Sequence, residues 1–114
     1  MTRAVGILGI GHYVPEKTVT NFDMEKIVDT SDQWITERTG IKQRHFAAPE
    51  EATSDMSVIA AQRALEDAGV KPEEIQLVIV GTASSDHAFP STACLVQDRL
   101  GCKNAAAFDL SAGC

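Results

Sequence analysis

The sequence lacks long apolar runs, and it contains few aromatic and few basic residues. A membrane-spanning helix needs roughly 20 consecutive apolar residues, and no stretch of the 114 residues approaches that length. Ten Lys and Arg stand against sixteen Asp and Glu, which gives a net charge of −6. We therefore expect no membrane span, and no binding to nucleic acid or to an anionic membrane surface.

Cysteine and histidine are also scarce. The candidate metal ligands are Cys94, Cys102, Cys114, His12, His45 and His87. They form no Cys-x-x-Cys or His-x-x-x-His pair, so we expect no metal site, and histidines at the surface or in loops. The cysteines fit no disulfide framework and the first residues form no signal peptide, which predicts free thiols in the cytoplasm.

Apolar patterning and turn residues predict alternating strands and helices. Strands are predicted at 5–10, 77–80 and 105–108, an edge strand or extended loop at 41–46, and helices at 21–28, 33–39, 55–68 and 91–100. Asn21 and Ser54 are the expected N-caps of two helices. The unbroken apolar run 77–80 predicts a strand covered on both faces, and the alanines of 55–68 indicate close packing against a sheet. This alternation predicts one α/β domain over 1–114.

Two short motifs do not support the functions that they first suggest. The glycines at 6, 9 and 11 are not in the order of a dinucleotide-binding loop, and Tyr13 and Pro15 follow them instead of a helix. Ser84, Asp86 and His87 are the residue types of a hydrolase triad, but near neighbours in sequence rarely converge, and no Gly-x-Ser-x-Gly elbow is present.

The last residues follow a predicted buried strand with a run of small residues that ends at Cys114. This context is typical of a nucleophile at a sharp turn into a helix, where the helix N-terminus favours a thiolate. A buried structural cysteine is the alternative, as we expect for Cys94 and Cys102. Since the last strand would lack a covering helix, we also expect these residues to be the N-terminal part of a larger protein.

The only tryptophan lies among basic residues in a chain that is otherwise acidic. Trp34 and Arg38 are four residues apart and share one helix face, with Lys42 and Arg44 following. An indole beside a guanidinium can receive an adenine ring with phosphates nearby. The alternative is a solvated helix that Trp34 anchors by packing.

Taken together, the motifs resemble those of a known family. They are Thr-Ser-Asp-Gln-Trp-Ile at 30–35, Arg-Thr-Gly-Ile at 38–41 with Arg44, Ala-Phe-Pro-Ser at 88–91, and Ala-Phe-Asp at 107–109 followed by small residues and Cys114. In this order and at this spacing, they are similar to the β-ketoacyl-acyl carrier protein synthase III family from about Val5 to the last residue.

The resemblance implies a thiolase-like fold of α-β-α-β-α layers, of which this chain would be most of the N-terminal half. It implies a homodimeric acyltransferase that initiates bacterial fatty-acid synthesis. Cys114 would take an acyl group from acyl-CoA, usually acetyl-CoA, and the enzyme would condense it decarboxylatively with malonyl-acyl carrier protein. Thr30, Trp34 and Arg38 match residues that bind CoA, and Phe89 matches an aromatic that reaches the partner's acyl pocket.

The resemblance implies no permanently bound cofactor, and it also sets a limit. The family's catalytic histidine and asparagine would lie beyond residue 114, so these 114 residues alone should be inactive. Two alternatives remain open: a priming synthase of polyketide or quinolone type, and a non-catalytic half-domain that binds CoA.

Overall fold

A computed structural model describes residues 2–112 of the chain, so that Cys114 lies outside the described residues. The chain divides into two units. The small unit comprises residues 14–50, and the large unit is described for residues 2–13 and 51–112.

The small unit is built from two short strands and two short helices. In chain order they are β1 (Lys17–Thr20), α1 (Asn21–Met24), α2 (Asp32–Thr39) and β2 (Gln43–Phe46). β1 pairs antiparallel with β2, with Val19 opposite Arg44. Of the edge strand or extended loop expected at 41–46, the strand is formed, over Gln43–Phe46.

α1 differs from its predicted form in its N-cap and its length. The helix ends at Met24 instead of residue 28. Its N-cap is Thr20, whose hydroxyl accepts the backbone N–H of Asp23 while the Asp23 carboxylate accepts that of Thr20. The prediction of Asn21 as N-cap was wrong, because this side chain is fully buried and bonds elsewhere.

The large unit contains the longest helix and a parallel strand pair. Its elements are α3 (Thr53–Ala68), a short 3-10 helix (Pro72–Glu74), β3 (Leu77–Gly81), α4 (Thr92–Leu100) and β4 (Ala106–Leu110). β3 pairs parallel with β4 in the register Ile79 to Phe108. α4 packs against both strands and against α3, and the buried apolar side chains are Val58, Ala93, Val96 and Cys102.

Helix boundaries in this unit follow local signals closely. α4 begins after its N-cap Ser91 and ends at Gly101, whose φ is 76°. α3 ends at Gly69 as predicted, but its N-cap is Ala52 instead of Ser54. The carboxylate of Asp55 accepts the Ala52 backbone N–H at 2.8 Å and takes over that capping role.

The predicted strand at 5–10 is not formed, and this segment is coil that lies against α3. A Cβ at Gly9 would lie 2.5 Å from the backbone nitrogen of Ala68 and 2.7 Å from the carbonyl oxygen of Ala64, and Gly11 meets Ala60 and Ala64 as closely. The small alanine side chains of α3 therefore pack closely against a glycine-containing segment. The sequence had indicated that they would pack against a sheet.

Within residues 2–112, the β3–β4 pair is covered on one face only. Alternate residues point to opposite faces of a strand. Leu77, Ile79, Phe108 and Leu110 are each about half exposed, whereas Val78 and Val80 are less exposed. The prediction of a strand covered on both faces was therefore wrong for the described residues.

No helix within residues 2–112 combines the length and apolar character that crossing a membrane requires.

Candidate functional site

α2 presents the predicted nucleotide-binding residues, and its ends are well defined. The Ser31 hydroxyl accepts the backbone N–H of Trp34 at 3.1 Å, which caps the helix N-terminus. Gly40 ends the helix in the left-handed region with φ of 70°, and its N–H donates to the Thr36 carbonyl at 2.8 Å. The expected helix from 33 to 39 is confirmed.

Trp34 and Arg38 form a stacked pair on the surface of α2. The guanidinium carbon of Arg38 lies 5.8 Å from the centroid of the Trp34 ring, within the range of a cation–π contact. Trp34 is 56% exposed, so within this unit it does not anchor the helix by packing. One face of the indole thus carries a cation while the side chain stays accessible.

Thr30 lies beside this pair. Thr30 and Trp34 line one shallow depression of about 350 Å³ together with Asp29 and Ser31. The structure therefore brings together the three residues that the resemblance assigned to CoA binding.

The two other basic residues of this segment have different environments. Lys42 is exposed. Arg44 points into the small unit, where its guanidinium donates to the Val19 carbonyl at 3.2 Å and to Oδ1 of Asn21 at 2.7 Å. Arg44 therefore stabilises the unit and is not a free cation for a phosphate group.

Asn21 is a buried side chain that hydrogen-bonds several parts of the small unit, a role that the sequence patterns did not indicate. Its Nδ2 donates to Asp32 Oδ1 at 2.8 Å and to the Ile41 carbonyl at 2.9 Å, and its Oδ1 accepts from Arg44. No side chain in the small unit is more completely buried. Its position next to a turn had indicated only a helix cap.

Phe89 stands on the segment between β3 and α4 and is 90% exposed. The peptide bond between Phe89 and Pro90 is cis, and Ser91 caps α4 immediately afterwards. An aromatic side chain at the surface two residues before a capped helix can contact a partner molecule, as the resemblance implied for this residue.

A carboxylate at the end of β4 holds the start of α4. Asp109 accepts the backbone N–H groups of Thr92 at 2.8 Å and of Ala93 at 2.7 Å. These are donors that a helix N-terminus leaves unpaired. The strand that leads toward Cys114 is thereby fixed to the helix that follows Phe89. The sequence signal for this contact is the Asp in the Ala-Phe-Asp motif.

Asp86 also serves the structure of this region and does not belong to a catalytic triad. Its carboxylate accepts the Ser54 backbone N–H at 2.9 Å and the Ser54 hydroxyl at 2.6 Å, and its backbone N–H donates to the Thr92 hydroxyl. His87 beside it is exposed. The rejection of the hydrolase hypothesis therefore agrees with the geometry.

Of the three cysteines, Cys94 and Cys102 lie within the described residues. Burial raises the pKa of the Cys102 thiol, and the negative charge of Glu73 adds to this effect, so Cys102 is a poor nucleophile. Cys94 is partly buried and free. Cys114, the predicted nucleophile, lies outside the described residues. Among the side chains of residues 2–112, no cluster of three or more His, Cys, Asp or Glu could hold a metal ion.

The histidines are mostly at the surface, as expected. His12 and His87 are exposed. His45 departs from the expectation, since it is partly buried in β2 with its Nδ1 2.6 Å from the Pro15 carbonyl oxygen.

Comparison with curated proteins agrees with the resemblance. A β-ketoacyl-[acyl-carrier-protein] synthase III from Caldanaerobacter subterraneus subsp. tengcongensis is 62% identical over 111 residues, which are 97% of this chain and 34% of that protein. The protein of the same name from Geobacillus kaustophilus is 57% identical over 109 residues, 96% of this chain and 35% of its own length. The chain spans about a third of the relatives that it matches. No protein-family model matches it.

Solved structures show the same relationship. The 3-oxoacyl-[acyl-carrier-protein] synthase III of Aquifex aeolicus superposes with a TM-score of 0.85 at 54% identity, over 93% of this chain and 34% of that chain. The priming β-ketosynthase of a polyketide pathway gives a TM-score of 0.86 at 42% identity, over 93% and 32%. The motif-based resemblance and the expected thiolase-like α/β fold are therefore confirmed, over about a third of each neighbour.

Proposed function

We propose that this chain is the part of an initiating condensing enzyme of type II fatty-acid synthesis that binds the primer and carries the nucleophile. The relatives are named as synthases of this type, which supports an acyltransferase that uses acyl-CoA and malonyl-acyl carrier protein. Following the resemblance, we place the reaction in the cytoplasm and the active enzyme in a homodimer.

The stacked pair on α2 is the observation that carries this proposal. Trp34 offers an accessible ring, Arg38 lies 5.8 Å from its centroid, and Thr30 lines the same depression. An adenine ring stacks on such a platform, and a guanidinium close by attracts phosphate groups. A CoA thioester presents both groups at the end remote from its reacting carbonyl.

The second element of the proposal is the nucleophile at Cys114. Its thiolate attacks the carbonyl carbon of the acyl-CoA thioester, and the CoA thiolate leaves and takes up a proton. Malonyl-acyl carrier protein then loses carbon dioxide, and the resulting carbanion attacks the acyl-cysteine thioester. The new carbon–carbon bond gives β-ketoacyl-acyl carrier protein and returns the Cys114 thiolate.

The remaining catalytic groups belong to the longer protein. The resemblance requires a histidine and an asparagine that hydrogen-bond the thioester carbonyl during decarboxylation. None of His12, His45 or His87 stands in the matching motif. We therefore expect these 114 residues alone to be inactive. Phe89 is proposed to enter the acyl pocket of the partner subunit, which its 90% exposure supports.

The test is Trp34→Ala in the full-length enzyme. Stacking of a base on an aromatic ring contributes about 1–3 kcal/mol, so KM for acetyl-CoA should rise roughly ten-fold. Because the adenine end is equally bound before and during reaction, kcat should stay nearly unchanged. Phe22→Ala is the matched control, since Phe22 is an aromatic of the same unit that is 62% exposed. A loss of kcat at constant KM would contradict the adenine-binding role.

A second candidate is a polyketide-type priming synthase, which the similarity to the priming β-ketosynthase favours. The two candidates share the nucleophile and differ in the primer. Competition between acetyl-CoA and longer or branched acyl-CoAs distinguishes them. If acetyl-CoA is not used at all, the fatty-acid initiation proposal fails and the priming synthase is favoured.

A non-catalytic CoA-binding protein is the remaining alternative. Cys114→Ala in the full-length protein tests it. If CoA binding is retained while acyl transfer is lost, the enzyme is supported. If acyl transfer is absent before the substitution as well, the binding protein is supported.

A further inference from the structure

The buried amide of Asn21 is connected to both ends of the helix that carries Trp34 and Arg38. We propose that Asn21 is a positioning residue for acyl-CoA, because it fixes α2 in the orientation that presents the stacked pair. This inference rests on the proposed role of α2 in binding CoA.

The contacts of Asn21 place it at both ends of α2. Its Nδ2 donates to Oδ1 of Asp32, the first residue of the helix, at 2.8 Å. The same nitrogen donates to the carbonyl of Ile41, directly after the C-cap Gly40, at 2.9 Å. It also lies 3.3 Å from the Thr36 hydroxyl oxygen in the middle of the helix. A single side chain thus fixes the whole length of α2.

The helix positions explain why this matters for the stacked pair. Trp34 follows Asp32 by two residues, and Arg38 follows Thr36 by two residues. A loss of the Asn21 contacts would weaken the attachment of both ends of a short helix with no buried residues of its own, and would leave the hydrogen bond from the Asp32 N–H to Oε1 of Glu25 at 2.7 Å. Ile35 and Thr36 of α2 are only partly buried, so directional hydrogen bonds contribute much to where the indole and guanidinium lie.

Only an amide satisfies this arrangement. Asp32 and Ile41 present oxygen atoms that need a donor, whereas Arg44 presents a donor that needs an acceptor. An aspartate at position 21 would direct a carboxylate at the Asp32 carboxylate. Buried polar groups without partners are costly, so the helix would move away from this orientation.

The experiment compares three variants of the full-length enzyme: Asn21→Asp, Asp32→Asn and the two combined. Asn21→Asp should raise KM for acetyl-CoA roughly ten-fold, with kcat nearly unchanged. In the combined variant the amide and the carboxylate exchange places, so the hydrogen bond between positions 21 and 32 forms again and Arg44 still meets an acceptor, while the Ile41 carbonyl stays without its donor. That variant should recover part of the affinity that Asn21→Asp loses, which a general loss of stability would not do.

Thr36→Val and Ser54→Ala complete the design. Thr36→Val removes the longest contact of Asn21 and the 3.5 Å contact between the Thr36 hydroxyl and Asp32 Oδ1, so it should fold and raise KM slightly. If Asn21→Asp does not fold, the KM of Thr36→Val tests the positioning role instead. Ser54 is a buried hydroxyl of the large unit, so Ser54→Ala should lower the melting temperature and leave KM unchanged.

The proposal is overturned if the folded Asn21→Asp enzyme, or Thr36→Val in its place, retains the parental KM. It is also overturned if the combined variant folds but recovers none of the affinity for acetyl-CoA that Asn21→Asp loses. Trp34→Ala separates this failure from that of the proposed function. If that variant raises KM and the Asn21 variants do not, only the positioning role fails, whereas an unchanged KM in Trp34→Ala contradicts CoA binding by α2 itself.

Discussion

The two units of this chain are stabilised in different ways. In the small unit, the buried residues are Pro15, Val19 and Asn21, and the Asn21 side chain connects α2 to β2 by hydrogen bonds. In the large unit, four apolar side chains are buried under α3 and α4, and the buried hydroxyls of Ser54 and Thr92 are bonded to carboxylates.

The difference teaches what each unit can specify. Apolar packing is proportional to buried area and tolerates exchanges that conserve volume. A buried amide instead requires donors and acceptors in fixed directions. The small unit is too short to bury a large apolar core. It therefore fixes the orientation of α2, the helix of the stacked pair, through hydrogen bonds.

The largest effect that tests this comparison is expected for Asn21→Leu. The leucine is of similar size but leaves Asp32, Ile41 and Arg44 without their partner. A buried polar group that is left without a hydrogen-bond partner destabilises the fold by more than the hydrogen bond itself contributed. We therefore expect the free energy of unfolding to fall by about 3 kcal/mol. Urea denaturation of the full-length protein measures it. A loss below about 1 kcal/mol would show that the small unit does not depend on the amide.

A smaller effect is expected for Val96→Ala in the large unit. Val96 is a residue of α4, and its side chain is only 2% exposed. Removal of two methyl groups from such a position should cost about 2 kcal/mol through lost burial and a cavity. KM for acetyl-CoA should not change, in contrast to the Asn21 variants. A rise in KM would contradict the division of roles between the two units.

The smallest effect concerns acid stability. Hydrogen bonds from the Thr20 hydroxyl and backbone, with a contribution from Lys26, hold the pKa of Asp23 well below its usual range. A carboxyl whose pKa is lower in the folded state contributes stability above its unfolded pKa of about 3.9, and this contribution is lost as the pH falls. Asn at position 23 cannot titrate. We therefore expect Asp23→Asn to show a shallower fall in urea midpoint below pH about 4.

Asp55 is the internal reference for that measurement. In the large unit, the Ala52 backbone N–H and then Arg99 lower its pKa in the same direction. Asp23→Asn should therefore remove part of the acid sensitivity and leave the part due to Asp55. An unchanged pH dependence in Asp23→Asn would show that the cap at Thr20 contributes no pH-dependent stability.

Local signals allowed part of the fold to be predicted. α2 and α4 were correct at the C-terminal end and within one residue at the N-terminal end, because a serine before the helix and a glycine after it act within one turn. The segment 5–10 was wrong as a strand. Its apolar pattern is the same whether it pairs in a sheet or lies along a helix, and only the distant alanines of α3 decide between these.

The candidate site shows the same limit. The proximity of Trp34 and Arg38 follows from a spacing of four residues on a helix, and it was predicted. The direction of Arg44 was not, because its partner Asn21 is 23 residues away in the sequence. Hydrogen bonds between residues so far apart depend on strand pairing, which residue patterns alone do not determine.

The most direct test of this account is acyl transfer to the full-length enzyme without malonyl-acyl carrier protein. The protein is incubated with acetyl-CoA, digested and analysed by mass spectrometry. The account expects an acetyl thioester on the peptide that contains Cys114, its absence in Cys114→Ala, and slower formation in Trp34→Ala at limiting acetyl-CoA. No acetylation, or acetylation at Cys94 or Cys102 instead, would contradict it.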